Sequence, residues 1–170
     1  MHTGIPIEAL ALLLLSRNLP HSLSPQLSIV VPVYNEEPSN LRSLLSRLAQ
    51  VLEPTLIFYE VIFVDDGSRT PANEACKALV SEFDYVKLVV LSRNFGELAA
   101  ICAGLDHSRG DAVINMDSDL QDPPELIPTM PQYWREGYDS VFTRQASRTA
   151  SWLRPSLAFA FSRTPTAFSS

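Results

Sequence analysis

The chain lacks any apolar run of the roughly 20 residues that a membrane-spanning helix requires. Its strongest candidate, Ala9–Leu15, is short and follows Glu8 and Pro6. No Lys or Arg precedes it, so it does not read as a signal peptide either. No Gly-x-Gly-x-x-Gly follows the first predicted strand, and no Gly-rich loop ends in Lys-Ser or Lys-Thr. These absences lower the dinucleotide-dehydrogenase and P-loop readings. Basic residues are outnumbered, with 13 Lys and Arg against 19 Asp and Glu and a formal charge of −6. That balance argues against broad nucleic-acid binding, which needs a basic footprint. Two cysteines, Cys76 and Cys102, fall in predicted helices and form no metal-binding spacing. A reduced, cytosolic setting is the simpler reading.

What is present fits one α/β domain. With 170 residues, 46% of them hydrophobic, the chain can bury a sizeable core. Residues 1–26 read as a poorly ordered or weakly helical extension, ending in the linker-like Pro20, Ser22, Ser24 and Pro25. Regular alternation begins at Leu27. Predicted strands cover residues 27–33, 59–64, 86–91 and 112–114, with a fifth over 138–143. Helices are expected between them. Leu41, Leu44, Leu45, Leu48 and Leu52 mark the first, and Ala75, Leu79 and Phe83 the second. The third carries Leu98, Ile101, Cys102 and Leu105, and a fourth should run from the Pro123-Pro124 pair to about Glu136. Such alternation implies right-handed crossovers and a mostly parallel, Rossmann-like sheet with helices on both faces. Ligands then bind outside the carboxyl ends of the strands.

The four strand ends are where the polar residues gather. The first runs into Tyr34-Asn35-Glu36-Glu37, the second into Asp65-Asp66-Gly67-Ser68, and the third into Ser92-Arg93-Asn94-Phe95-Gly96. The fourth runs into Asp117-Ser118-Asp119. In extended geometry Asp117 and Asp119 project to one side, where they repel unless a cation or proton sits between them. Mg²⁺ commonly bridges one or two carboxylates to substrate phosphates. A bare Asp-x-Asp is weak, since about 0.6 acidic triplets of this kind arise by chance in such a chain. Four clusters at one edge, two bearing paired aspartates, favour a site.

The ordered set Ser28–Glu37, Val64–Ser68, Ser92–Gly96 and Asp117–Glu125 resembles the family 2 glycosyltransferases. It is most similar to their polyprenyl-phosphate branch, the dolichol-phosphate mannosyltransferase type. The resemblance covers residues 27–144. It implies a GT-A fold, a UDP- or GDP-sugar donor, Mg²⁺ or Mn²⁺, an inverting transfer, and a polyprenyl phosphate acceptor at the cytoplasmic face of a membrane. By match to the family motifs, Asp117, Asp119 and Gln121 serve the metal. Pro32, Tyr34, Glu36 and Asp65 serve the nucleotide, and Arg144 meets the acceptor phosphate. Asp119 and Arg144 are the residues expected to matter most to transfer. Asp66 is read as a loop support, with Gly67 permitting the turn.

No general base is assigned. A phosphomonoester has a second pKa near 6, so at neutral pH it is already largely dianionic and supplies its own nucleophile. Glu97 departs from the family, where many relatives carry a basic or neutral polar residue, and this is expected to weaken donor binding. Residues 145–170 read as a divergent, poorly ordered tail, so the chain resembles a truncated member. Two further readings stay open: a nucleotide-sugar-binding remnant without turnover, and a soluble member that glycosylates a saccharide.

Overall fold

The apolar runs form strands and the leucine-periodic run forms a helix, at nearly the expected boundaries. The computed structural model describes residues 25–121 and 123–130, together with Tyr133 and Glu136. In chain order come β1 (Leu27–Val33), α1 (Pro38–Leu52), a 3-10 turn (Glu53–Thr55), β2 (Tyr59–Asp65), α2 (Ala72–Glu82), β3 (Val86–Val90), α3 (Glu97–His107), β4 (Ala112–Asn115) and a 3-10 segment (Pro124–Thr129). The expected fifth strand over 138–143, the extension before Pro25 and the tail over 145–170 lie outside the described residues.

The sheet is parallel, in the order β3-β2-β1-β4. Its two central strands are apolar and buried almost throughout, as expected for a sheet covered on both faces. The chain builds outward from β1 through β2 to β3, then returns to place β4 on the other side of β1. The topological switch point therefore lies between β1 and β4. A proline opens the sheet at that point. The last ladder bond from β4 is the Met116 N–H to the Val30 carbonyl, at 2.9 Å. The next β1 residue facing that way is Pro32, which has no N–H to give. The two strands part there, and a crevice begins.

Helices α1 and α2 cover one face. Leu41, Leu44, Leu45, Leu48 and Leu52 of α1 are all buried, packing with Ile29, Val31, Phe63 and Ile114. Truncating one of them to Ala should cost about 2–5 kcal/mol. The other face carries α3, but not by the residues its periodicity suggests. Leu98 is 74% exposed, Leu105 is 38% exposed, and Cys102 is exposed, while Ala100 and Gly104 are buried. Closeness decides the orientation. A Cβ added at Gly104 would lie 2.3 Å from Val30 Cγ1, so the helix sits on the sheet along its smallest residues. A leucine face could not approach so near.

The fourth expected helix is also corrected at its start. Residues Pro124–Thr129 are 3-10, with Pro128 inside the run. Proline lacks the N–H that an α-helical turn would use, and its ring crowds the carbonyl four residues back.

At the amino edge of the sheet a buried polar cluster closes the structure. Ser28 Oγ donates to Glu60 Oε1 at 2.6 Å and accepts the Gly110 N–H at 2.8 Å. The Arg109 N–H donates to the same Glu60 oxygen at 2.8 Å, and the Lys87 ammonium pairs with Glu60 Oε2. Gly110 is required here, because a Cβ would come within 2.5 Å of the Ser28 nitrogen.

Candidate active site

At the opposite edge, a cleft of about 290 Å³ opens where β1 and β4 separate. Its walls come from all four strand ends and one helix start. Pro32 belongs to β1, Tyr34 and Glu36 follow it, and Asp66 follows β2. Asn94, Gly96, Glu97 and Ala100 belong to the loop after β3 and to α3, and Asp117, Ser118 and Asp119 follow β4. Five carboxylates thus line one cleft, and no Lys or Arg is among its described lining residues.

The loop after β1 turns through Asn35, which has φ 53°. Asparagine tolerates this left-handed geometry better than most residues. Its side chain accepts the Arg69 N–H at 2.9 Å, and its own N–H donates to Ser68 Oγ at 2.9 Å, which ties this loop to the one after β2. Tyr34, 54% exposed, stands beside the cleft. Glu36 is held by neutral donors. Asn40 Nδ2 and the Glu37 N–H reach Oε1 at 2.7 and 3.1 Å, and Ser118 Oγ reaches Oε2 at 3.0 Å. Ser118 therefore joins the β1 and β4 walls directly.

Asp117 and Asp119 both line the cleft, but not on an extended strand. Strand β4 ends at Asn115, and the chain turns at Ser118 and Asp119. Asp119 Oδ1 accepts the Gln121 N–H at 2.9 Å, and Leu120 has φ 65°. An aspartate that bonds to the backbone two residues on makes a local turn, and this replaces the straight alternation expected from spacing. Gln121 enters through its backbone, and its side chain is not among the described lining residues. Arg144 lies outside the described residues.

The paired aspartates after β2 separate by alternation at the strand end. Asp65 points toward α2 and is fully buried, accepting the Ser68 N–H on Oδ1 at 2.7 Å and Asn73 Nδ2 on Oδ2. The structure does not bring it to the cleft wall. Burial, and next the Asp65 charge, push the adjacent Cys76 thiol up to about 12, so Cys76 is no ready nucleophile. Asp66 points the other way and is a cleft residue. It does support a loop, as expected, but the loop is the one after β3: its two oxygens accept the Phe95 and Gly96 N–H groups at 2.7 and 2.8 Å.

Sequence reasoning missed the cleft positions of Asp66, Asn94 and Ser118, while Glu97, expected to affect donor binding, does line the cleft. Spacing gave no signal for Ser118, because strict alternation would turn it away from the two acids. Only the turn at Ser118 and Asp119 brings it to the same cleft.

These donors suit a hard divalent ion of a particular kind. No group of three His, Cys, Asp or Glu side chains converges to hold a metal among the described residues. Mg²⁺ and similar ions are often held by one or two carboxylates and completed by substrate phosphates and water, and Asp117 and Asp119 supply such an open set.

A parallel α/β sheet whose strand order reverses between β1 and β4 places its ligand crevice at that switch point, where the acid-lined strand ends gather. The family model for glycosyl transferase family 2 matches residues 28–166, past Arg144, and the chain belongs to that family. It is 47% identical over 133 residues to an uncharacterized glycosyltransferase of Synechocystis sp., covering 76% of this chain and 41% of the relative. It is 46% identical over 128 residues to an undecaprenyl-phosphate 4-deoxy-4-formamido-L-arabinose transferase of Shewanella sediminis, covering 75% and 38%. The chain thus spans about two fifths of the length of these relatives. A mannosyltransferase from Pyrobaculum calidifontis, solved in complex with GDP-Man and Mn²⁺, superposes with a TM-score of 0.58 at 19% identity. That match covers 84% of this chain and 43% of the other, and it supports the GT-A fold. No helix among the described residues is long and apolar enough to cross a membrane.

Proposed function

We propose that this chain is the donor-binding part of a metal-dependent, inverting glycosyltransferase that moves a sugar from a UDP- or GDP-sugar to a polyprenyl phosphate. The observation that carries this reading is the convergence of Asp117, Asp119, Glu36 and Tyr34 on one cleft at the β1/β4 switch point. The undecaprenyl-phosphate transferase name of one relative supports the acceptor class.

Asp117 and Asp119 would hold Mg²⁺ or Mn²⁺, which as a Lewis acid stabilises the leaving diphosphate. Tyr34 presents an exposed ring beside Pro32, a flat surface on which a base can lie. Glu36, fixed by Asn40 and Ser118, has its acceptor oxygens positioned before the donor arrives. In the transfer, an acceptor phosphate oxygen forms a bond to the anomeric carbon as the bond from that carbon to the diphosphate oxygen breaks. The electron pair leaves with the nucleotide. No proton is removed at that step when the acceptor is a dianion, so no protein base is needed. Arg144 takes the acceptor phosphate, because arginine binds phosphate by charge-assisted, often bidentate bonds. Gln121 and Asp65 then act by shaping the loops that carry Asp119 and Ser68.

Calorimetric titration with GDP and UDP tests the donor site. Binding of at least one nucleotide with Mn²⁺ present, abolished by chelation, is expected. Metal-independent binding of equal strength would remove the metal from the account.

A further inference from the structure

We infer that Asp66 is a positioning residue for the donor site: it sets the Asn94–Glu97 wall of the cleft by holding the backbone between those two residues. The inference rests on the donor-site reading above and deepens it. Asn94 and Glu97 both line the cleft, and both are exposed, so packing does not fix them. The backbone between them is held from β2. The buried Asp66 carboxylate, 3% exposed, takes the Phe95 N–H on one oxygen and the Gly96 N–H on the other. Bonds from amides to a carboxylate are about twice as strong as those between neutral groups.

The next residue completes the hold. Gly67 has φ 72°, and a Cβ there would meet the Arg93 carbonyl carbon at 2.5 Å and the Asn94 nitrogen at 2.6 Å. The two loops are therefore in backbone contact. The Arg93 guanidinium lies 4.0 Å from the Phe95 ring centroid, and neither of these side chains lines the cleft, whereas Asn94 does. Asp66 thus acts through the loop and needs no contact with nucleotide.

The test compares Asp66→Ala, Asp66→Asn and Gly67→Ala with wild type, using Mn²⁺ alone and then GDP and UDP with Mn²⁺. Nucleotide affinity should fall about tenfold to a hundredfold in Asp66→Ala, the range that small misplacements of binding groups produce. Asp66→Asn keeps one acceptor oxygen and should fall between Asp66→Ala and wild type. Affinity for Mn²⁺ alone should change less than nucleotide affinity, because Asp117 and Asp119 sit on a different loop and lose only the neighbouring charge. Exchange of the Phe95 and Gly96 amides should quicken.

In an Asn94→Ala background, Asp66→Ala should cost much less than it does alone, which a purely stabilising role would not produce. If the Asp66 variants do not fold, Gly67→Ala displaces the same loop with the carboxylate intact and should weaken nucleotide binding by itself. Wild-type affinity in all three variants, or an undiminished Asp66 effect in the Asn94→Ala background, would overturn the inference. A wild type that binds neither nucleotide would instead overturn the donor-site reading.

Discussion

The two edges of the sheet bury and display acid in opposite ways. At the amino edge, Glu60 is 4% exposed, and both its oxygens are taken up by Lys87, Ser28 and the Arg109 amide. At the carboxyl edge, Glu36, Asp66, Glu97, Asp117 and Asp119 share a cleft whose described lining includes no Lys or Arg. Glu36 and Asp66 are held by neutral donors, which fix geometry without cancelling charge. A charge that is buried and matched serves the fold. A cluster whose geometry is fixed and whose charge remains is suited to a ligand that brings the counter-charge. The difference lies in which groups answer the carboxylates, since both edges are rich in polar residues.

Among changes to the polar groups of the two edges, removing Lys87 should produce the largest change in stability. Lys87→Met leaves the buried Glu60 without its cation. Breaking such a pair costs about 3 kcal/mol at the low end of the range, which applies here because the lysine is partly in water. Urea unfolding would measure the loss, and nucleotide affinity should not change.

The acid dependence of stability has a definite sign. Burial pushes the Glu60 carboxyl up, but the Lys87 ammonium, the Ser28 hydroxyl and the Arg109 amide together outweigh it. They hold the carboxyl below its ordinary 4.5. A depressed carboxyl contributes its stability in full above about pH 4.5, and that contribution is lost as pH falls through the lower folded value. Glu60→Gln should therefore be destabilising at neutral pH, and its deficit should shrink progressively below pH 4.5. A deficit constant down to pH 3 would deny Glu60 this role.

A smaller effect is expected from Ser118→Ala. It removes the 3.0 Å bond to Glu36 that joins the two walls of the cleft, worth about 1 kcal/mol. Donor affinity should drop by a comparable factor of about five, since 1.4 kcal/mol corresponds to tenfold. A loss in stability with no loss in affinity would place Ser118 with the amino-edge cluster in kind.

Much of this was legible in the residues, and the parts that were not have physical reasons. The α1 leucines were readable because a large apolar side chain at helical spacing has few options other than burial. The same logic failed at α3, where Gly104 and Ala100 won the contact. Close approach to Val30 outweighed the size of Leu98 and Leu105, and spacing carries no information about approach distance. At the carboxyl edge the motifs named the right loops, but not which aspartate of a pair faces the cleft. For Asp65 and Asp66 the direction depends on where β2 ends, and a one-residue change there exchanges their roles. The amino-edge cluster was invisible because Ser28, Glu60, Lys87 and Gly110 are brought together only by strand pairing.

The most direct test of the difference between the edges is the shift in melting temperature caused by Mn²⁺ with nucleoside diphosphate, measured on wild type, Glu60→Gln and Asp119→Asn. At a ligand concentration about 100 times the dissociation constant, binding adds about 2.7 kcal/mol, or about 5–10 °C for a chain of this size. The account predicts that Glu60→Gln starts from a lower melting temperature and keeps the whole shift, while Asp119→Asn starts near wild type and loses it. An Asp119→Asn protein that keeps the shift, or a Glu60→Gln protein that folds but loses it, would contradict the assignment of binding to the carboxyl edge.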